Sequence, residues 1–546
     1  MDFVAGVSAE AIVKALSQLC SRVGAIDTPP PLWKDPATKM ITDARTLADG
    51  ATLEADVCIA GAGAAGMTIA LDLRASGLSV LLLESGGAER DLEVQSLSEG
   101  RMIGIDTWNV RAMRIRALGG TTGHWAGWCR PLTPQDFEAR DYISLSGWPI
   151  KYSDLVPFYR RACETVQIGE FDWSSAARAK ATGKALLPLS DAIDQRYYQF
   201  SPPTRFGSFY SGVLGQSDDV RVLTFANVRD IRLDERRGRV ESFACRTLQG
   251  TTFNVHAGRY VLALGGIENV RVLLASRSQE SDGVANGHGV VGRYFMEHPH
   301  YYGSVGVVHP STVDLSFYRR GPSDLTRADG TVVETLGALG LAPEISRREK
   351  LLNFSATFRG PGAGRAASGQ AQSAVLPAST AQALVTRGDG DFSATELTVR
   401  SEQSPFRESR ITLTDDLDAL GMPRVALDWR IAPEDDVRMR RAMVILAREL
   451  GAAGLARTWI PGDASRFVWR QDPGGHHMGA TRMGTDPAVS VVNADSRTHQ
   501  VENLYITGGS VFTTGGDSNP TLTIVALAHR LADTLKRAAA PMKKSV

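Results

Sequence analysis

Hydrophobic and polar positions first form a clear repeating pattern at residues 56–85. The apolar run DVCIA predicts a buried strand, a glycine-rich turn follows, and Ala64 to Ser76 reads as a helix that Gly77 ends. A second apolar strand, SVLLLES, comes next. Strand, helix and strand in this order predict a βαβ unit.

Related patterns occur further along the chain. RYVLAL (Arg259 to Leu264) precedes a helix at IENVRVLLAS, and NLYITG precedes a helix that begins near Thr521. ITLTDD and RVALDW alternate as antiparallel strands do, and a helix is predicted from Leu155 to Val166. We therefore predict an α/β fold, in which a Rossmann-like domain is joined to a second α+β domain built on an antiparallel sheet.

The length of 546 residues indicates more than one packed region. We expect an N-terminal helical arm and linker, which docks on the body or on another subunit, followed by two interleaved domains. The arm is residues 1–50, the nucleotide-binding domain is 51–145 with 216–300 and 485–546, and the substrate-binding domain is 146–215 with 301–484. The Gly/Ala-rich segment 360–380 is either a mobile flap or an insertion without a role.

Composition and charge limit the classes of molecule that this protein is expected to bind. Hydrophobic residues make up 43% and charged residues 22%, as in ordinary globular proteins. Lys+Arg and Asp+Glu each total 60, so no net positive charge favours nucleic acid or an anionic membrane. The chain has no apolar run of membrane-spanning length and no export-signal pattern at its start, which predicts a cytoplasmic location. The five cysteines form no CxxC pair, so we expect reduced, mostly buried thiols and no metal site.

The turn of the βαβ unit, GAGAAG, predicts a dinucleotide site. Gly61 permits a tight turn, Gly63 lets backbone N–H groups approach a pyrophosphate, and Gly66 lets helix and strand pack closely, with Ala65 inside the same motif. Glu84 ends the second strand, where a carboxylate can accept hydrogen bonds from ribose hydroxyls. NAD and FAD both use such a turn, so the motif alone does not choose between them.

Other segments indicate a flavin. The loop RALGGTTGHWAGWCRP (Arg116 to Pro131) suits close passage of the backbone along a flat ring. This loop, GAGAAG…LLLES, VGRYFMEHP and HHMGATRMG…SNPTLTI together resemble the glucose–methanol–choline (GMC) family of flavoproteins, from about Asp56 to Leu535. TGHW and the Asn-Pro-Thr of SNPTLTI are most similar to pyranose 2-oxidase and to bacterial FAD-dependent sugar or glycoside dehydrogenases.

The resemblance implies FAD as the cofactor and a set of residues that contact it. Besides the turn and Glu84, these are Gly119, Gly120, Thr121, His124, Trp125, Val228, Gly508, Gly509, Asn519, Pro520 and Thr521. In several relatives the histidine at the position of His124 carries the flavin covalently. We prefer the alternative, in which His124 hydrogen-bonds locally and stacks beside the ring.

The resemblance also implies a catalytic pair. His476, three residues before Gly479, matches the family's base, and a neutral imidazole suits removal of a hydroxyl proton. Asn519 matches the position that hydrogen-bonds the substrate oxygen, although an asparagine before Pro520 is also a good helix cap. Arg482, His298 and His300 either line a cavity or have structural roles.

These features predict FAD-dependent oxidation of an alcohol (CH–OH) group of a sugar, glycoside or polyol, by hydride transfer to flavin N5. Oxygen, a quinone or another carrier then accepts the electrons. Four alternative functions stay open: an FAD-containing lyase of the hydroxynitrile type, a non-sugar alcohol oxidase, a nicotinamide dehydrogenase and a non-catalytic flavoprotein. The sequence also leaves open whether the protein forms a homo-oligomer.

Overall fold

A computed structural model of the protein describes residues 40–105, 109–359, 392–460 and 474–539. The predicted N-terminal helix and the Gly/Ala-rich segment 360–380 lie outside the described residues.

The βαβ unit lies in a mixed sheet, here called the nucleotide sheet. Its order is Ile41–Asp43, Val220–Thr224, Val80–Leu83, Ala51–Ala60, Thr252–Leu262, Val240–Arg246 and Asn227–Leu233, and Leu504–Ile506 pairs with Thr252–Leu262. The first five strands and Leu504–Ile506 pair in parallel, whereas the last two strands pair antiparallel. Its central strands, at 57–60 and 80–83, are buried, as parallel strands covered on both faces must be. The predicted Rossmann-like fold is confirmed.

Four of the described α-helices, those that begin at Ala64, Tyr152, Gly265 and Thr521, lie close to predicted ones, and the others were not predicted. The described α-helices span Ala64–Leu73, Leu92–Ser96, Pro134–Phe137, Tyr152–Thr165, Ser175–Thr182, Phe206–Gly215, Gly265–Ala275, Pro343–Arg348, Pro433–Ala452 and Thr521–Ala539, with 3-10 turns at Ala44–Thr46, Gly120–Gly123, Ser316–Tyr318 and Gly509–Val511. The first helix ends at Leu73 and not at Ser76, because the backbone of Arg74 is extended and Ala75 has a φ of 55°. Among the described residues, no helix has the length and apolar character needed to cross a membrane.

A second sheet, here called the antiparallel sheet, faces the nucleotide sheet across the functional cavity described below. Its order is Arg457–Trp459, His300–Pro310, Phe392–Ser401, Phe354–Arg359, Val332–Leu341, Ile193–Phe200 and Trp128–Cys129, and Gly321–Thr326 pairs with Val332–Leu341. All of these pairs are antiparallel, as predicted for the second domain. The strand at 193–200 was not predicted from the sequence.

The predicted strands ITLTDD and RVALDW form a hairpin of their own. Arg410–Leu417 pairs antiparallel with Pro423–Asp428, which also pairs in parallel with Gly100–Met102. This three-stranded sheet packs on the helix Gly265–Ala275 and does not join the antiparallel sheet.

The C-terminal helix Thr521–Ala539 packs against both Ala64–Leu73 and Tyr152–Thr165. The C-terminal helix therefore connects the helix that follows the nucleotide-binding turn with the helix Tyr152–Thr165. This packing fixes the position of the residues that precede Thr521. Four cysteines, Cys58, Cys129, Cys163 and Cys245, are free and buried, which confirms the prediction for the described thiols.

Candidate active site

A cavity of about 520 Å³ lies between the nucleotide sheet and the antiparallel sheet. Pockets of this volume hold cofactors and small ligands in many proteins. Most of the predicted site residues line it: Gly61, Gly63, Ala65, Glu84, Gly120, Thr121, His124, Trp125, His476, Gly508, Gly509, Asn519, Pro520 and Thr521.

The glycine turn forms one end of the cavity. Gly61 has a φ of 101°, and a Cβ atom there would lie 2.6 Å from the carbonyl oxygen of Ala263. Gly63 begins the helix Ala64–Leu73 without a side-chain cap, and a Cβ atom there would point into open space. The first N–H groups of this helix thus lack a side-chain acceptor, and this end of the helix is suited to bind an anion such as pyrophosphate.

Glu84 is held beside this turn. Its carboxylate accepts hydrogen bonds from the backbone N–H of Ala62 and of Gly86, both at 2.9 Å. Burial raises the pKa of Glu84 to about 7, although these two bonds and Arg116 oppose the shift. The remaining lone pairs of the carboxylate can accept ribose hydroxyls, as the sequence predicted.

The GGTTGHW loop lies against the glycine turn. The N–H of Gly119 donates to the carbonyl of Ala62 at 2.8 Å, and a Cβ atom on Gly120 would lie 3.0 Å from Cα of Gly63. Arg205 donates to the carbonyl oxygens of Thr122 and Trp125, which fixes the far end of the loop. The backbone thereby passes close along the cavity.

His124 lines the cavity within this loop. Burial, together with Arg205 and Arg90, lowers its pKa. Among the described residues its ring makes no hydrogen bond, which differs from the local bond that we expected from the sequence.

Three predicted cofactor contacts lie just outside the cavity lining. Gly66 packs on the turn, where a Cβ atom would lie 1.9 Å from the oxygen of Gly61. Gly119 packs on Gly207, where a Cβ atom would lie 2.2 Å from the backbone nitrogen. Val228 lines a small neighbouring cavity that also touches Gly61.

His476 and Asn519 meet at the wall of the same cavity. Nδ2 of Asn519 lies 3.1 Å from Nε2 of His476, although the two residues are 43 positions apart. The backbone N–H of His476 donates to Glu297 at 2.9 Å. Burial, followed by the nearby His298, His300 and Arg400, lowers the pKa of His476 well below its ordinary value. The imidazole is therefore neutral at neutral pH.

A second histidine determines which nitrogen of His476 carries the proton. Nε2 of His298 lies 3.2 Å from the carbonyl oxygen of Gly515, which can only accept, so this nitrogen donates. Burial lowers the pKa of His298, so its ring is neutral and its Nδ1 carries a lone pair. Nδ1 of His476, at 2.8 Å, must then donate to it. Nε2 of His476 is left as an acceptor that faces Asn519 and the cavity.

The loop that presents Asn519 is fixed by buried charge. Asp517, fully buried, pairs with Arg130 at 3.2 Å and with Arg196 at 2.7 Å. Although burial opposes ionisation, these arginines lower the pKa of Asp517 to about 2. Gly516 has a φ of 55° and leaves no room for a side chain next to Asp136. The chain reaches Asn519 in one defined conformation.

His477 also lines the cavity, but its contacts differ from those of His476. Its backbone lies between two glycines, since Cβ atoms on Gly266 and Gly509 would each lie 2.5 Å from it. Burial and Arg114 lower its pKa to about 3, and its Nε2 lies 3.6 Å from Glu297. His477 therefore has surroundings different from those of His476.

The remaining candidates divide in two. His300 lines the cavity, whereas Arg482 donates to the carbonyl oxygens of Val489 and Leu145 and is structural. Arg400 and Trp128 also line the cavity, and sequence reasoning did not select them. Trp128 lies within the selected Arg116–Pro131 loop but was not chosen individually, and Arg400 lies in no recognisable motif.

The residues present fit FAD. The cavity wall contains an uncapped helix start, an open glycine and a hydrogen-bonding pair. Oδ1 of Asn519 is buried without a donor among the described residues, as expected where a further group completes the site.

Comparisons with known proteins agree with this assignment. Residues 405–528 match the family model described as GMC oxidoreductase. The chain is 28% identical over 538 residues to 6'''-hydroxyparomomycin C oxidase of Streptomyces lividus, covering 87% of this chain and 90% of the relative. It is 24% identical to the fructose dehydrogenase large subunit of Gluconobacter japonicus, covering 89% of this chain and 98% of the relative.

A solved structure shares the fold. Pyridoxine 4-oxidase from Mesorbium loti superposes with a TM-score of 0.55 at 18% identity, covering 88% of this chain and 98% of that protein. The family resemblance predicted from four sequence segments is confirmed.

Proposed function

We propose that this chain, whose residues 405–528 match the GMC oxidoreductase family model, uses FAD to oxidise an alcohol (CH–OH) group of a sugar, glycoside or polyol. The relatives named above are oxidases and dehydrogenases, two of them with sugar-derived names. The observation that carries the proposal is the 3.1 Å contact between His476 Nε2 and Asn519 Nδ2 at the cavity wall.

In the proposed mechanism the substrate hydroxyl replaces the direct contact between these two side chains and hydrogen-bonds to both. Nε2 of His476 accepts the hydroxyl proton, because the bond from its Nδ1 to His298 leaves Nε2 unprotonated. Nδ2 of Asn519, which lies against Nε2 of His476 in the free protein, then donates to the substrate oxygen and orients it. FAD, when bound, supplies the two-electron acceptor for the hydride that leaves the carbon. Loss of one proton and one hydride converts the alcohol to a carbonyl.

The rest of the chain holds the cofactor in this proposal. The turn at 61–66 binds the pyrophosphate and Glu84 the ribose. The loop at 119–125 and residues 508–509 would contact the isoalloxazine ring and the ribityl chain of FAD. Pro520 and Thr521, at the start of the last helix, would contact the cofactor as well. The domain boundaries, the cytoplasmic location and a homo-oligomer stay predictions, and oxygen, a quinone or another carrier is the proposed acceptor.

Anaerobic stopped-flow measurement of the flavin absorbance band tests the proposal. A panel of sugars, glycosides, polyols and aliphatic alcohols should include compounds that bleach the flavin of the wild-type protein. His476→Ala and Asn519→Ala should retain FAD but reduce it about 10²–10⁴-fold more slowly. His288→Ala, an exposed histidine away from the cavity, is the matched control.

Two results would contradict the proposal. An unchanged rate of flavin reduction in His476→Ala would remove this residue as the base. Cleavage of a cyanohydrin without bleaching by any alcohol would replace the oxidase assignment with a lyase. Acid precipitation separately tests the flavin linkage, because a non-covalent FAD is released into the supernatant.

A further inference from the structure

Arg400 brings a positive charge without a carboxylate partner among the described residues to the substrate end of the cavity. Its side chain lines the cavity, and the residue is only 5% exposed. Its guanidinium lies over the ring of Trp128, 4.2 Å from the centroid. Its Nη1 is buried and has no hydrogen-bond partner within the described ranges.

Among the described residues, the buried Arg130, Arg140, Arg178 and Arg271 each have a carboxylate partner. Arg482 is also buried, but it donates to two carbonyl oxygens instead. Arg140 pairs with Glu402 at 2.5 Å, and Arg271 pairs with Asp418 at 2.6 Å. A buried charge without such a partner is strongly disfavoured, because solvation is lost and nothing replaces it. The contact with Trp128 offsets only part of this cost. Within the described residues, Arg400 is therefore suited to bind an anionic ligand.

The surroundings of Arg400 favour the same conclusion. His300 and Arg400 face each other on neighbouring antiparallel strands, so their side chains lie on the same face of the sheet. His476 is close to both, and the charge of Arg400 contributes to the low pKa of its imidazole. Two carboxylates of neighbouring segments have other partners, since Glu402 binds Arg140 and Glu297 accepts from the backbone of His476. This end of the cavity presents donors and positive charge.

We propose that Arg400 binds an oxyanion group on the substrate, so that the preferred substrate is a hydroxylated ring that carries a carboxylate, such as a sugar acid. This inference rests on the proposed alcohol oxidation at His476 and adds the chemical class of the substrate. A neutral hydroxyl can accept a hydrogen bond from Nη1 but leaves the charge uncompensated. A carboxylate accepts two parallel N–H bonds from a guanidinium and neutralises it.

The first experiment compares ring-matched substrates of the wild-type holoenzyme. D-glucuronate and D-galacturonate should each have a kcat/KM about 10- to 100-fold above that of D-glucose and D-galactose, the range expected for a charged hydrogen bond. D-glucosamine, which carries a positive charge, should be the poorest substrate. A preference for glucose 6-phosphate over glucuronate would support the oxyanion site and assign it to phosphate esters.

The second experiment measures binding without oxidation. Cyclohexanecarboxylate and cyclohexanecarboxamide share a ring, have no CH–OH group and differ in charge. Isothermal titration calorimetry with the oxidised holoenzyme should give at least about tenfold tighter binding of the carboxylate. Arg400→Gln should remove this preference and the uronate-to-sugar ratio of kcat/KM, and Arg400→Lys should keep part of both.

Arg320→Gln is the matched control. Arg320 also lies over an aromatic ring of the antiparallel sheet, 4.0 Å from the centroid of Phe200, but its side chain is half exposed and paired with Glu334. This variant should keep both preferences for the anion. Visible absorbance confirms that each variant holds FAD.

The outcomes separate this inference from the proposed function. The inference is overturned if neutral sugars bleach the flavin as well as uronates do while the carboxylate binds no tighter than the carboxamide. It is also overturned if Arg400→Gln keeps the preference. If the carboxylate binds through Arg400 and no alcohol reduces the flavin, the anion site stands and the proposed oxidation fails.

Discussion

Replacement of His298 tests how the proposed base is held in its active form. His298 is fully buried and connects Nδ1 of His476 to the carbonyl oxygen of Gly515. It lies outside the cavity lining and acts on the substrate only through His476, so it is a positioning residue. His298→Leu keeps a side chain of similar bulk and removes both ring nitrogens.

The size of the effect follows from the lost hydrogen bond. Without an acceptor, the Nδ1–H of His476 is left buried and unsatisfied, which costs about 1–3 kcal/mol. The ring can avoid this cost by moving the proton to Nε2, but Nε2 then has no lone pair for the substrate. At about 1.4 kcal/mol for each factor of ten, flavin reduction should slow by about 10- to 100-fold. The loss should fall mainly on kcat, because Asn519 still holds the substrate oxygen.

His298→Asn supplies the decisive comparison. Its amide oxygen can lie near the position of the missing Nδ1 and accept from His476, so anaerobic reduction should be about tenfold faster than in His298→Leu. A purely structural role would lower flavin content and melting temperature without this recovery of the rate constant. Equal reduction rates in the two variants would refute the idea that His298 sets the tautomer.

Three further predictions follow from other parts of the site. The acid limb of kcat/KM should lie below about pH 6.5, because the neutral form of His476 is the active one and its pKa is lowered; a limb above that pH would contradict the assignment. Gly63→Ala should weaken FAD binding at least about tenfold, because the new methyl group points into the cavity. It should not lower the melting temperature of the apoprotein, because the φ of −79° at this position accepts alanine. Gly238→Ala, at an open loop position, is the control and should retain FAD. Asp517→Asn should lower the free energy of unfolding by about 3–5 kcal/mol in urea titrations at pH 7, because the buried Arg130 loses its counter-ion and Arg196 keeps only Asp194. In the wild type this contribution should be present above about pH 4 and be lost as the pH falls towards the pKa of about 2; an unchanged unfolding midpoint would exclude it.

The nucleotide-binding half was predictable because its signals are local. The strands at 57–60 and 80–83 are continuous apolar runs, and the turn between them depends on glycine, so short windows of sequence contain the needed information. The strand Ile193–Phe200 escaped prediction for the opposite reason. Its polar residues are internally bonded, as when Arg196 pairs with the buried Asp517, so the sequence IDQRYYQF does not alternate as a half-exposed strand does.

The candidate site was only partly predictable. His476 and Asn519 were found by resemblance to motifs, but the contact between His298 and His476 joins residues 178 positions apart. In the EHPH segment the sequence did not distinguish His298 from His300. The fold places His298 against His476 and His300 in the cavity wall. Arg400 had no local signal, because a single arginine in a strand usually indicates an exposed position.

Burial lowers the pKa of His476, and the charge of Arg400, which has no carboxylate partner among the described residues, adds to this effect. A positive charge near the base disfavours the imidazolium that forms when the substrate proton arrives, and the same charge favours negative charge on the substrate oxygen. If the substrate carries its own anion to Arg400, part of that positive potential is neutralised at the moment of binding. The imidazole then becomes a stronger base only when a substrate of the right class is present. An arginine that is unpaired until the substrate binds can thereby couple substrate selection to proton removal. An arginine at the same position with a permanent carboxylate partner cannot do this.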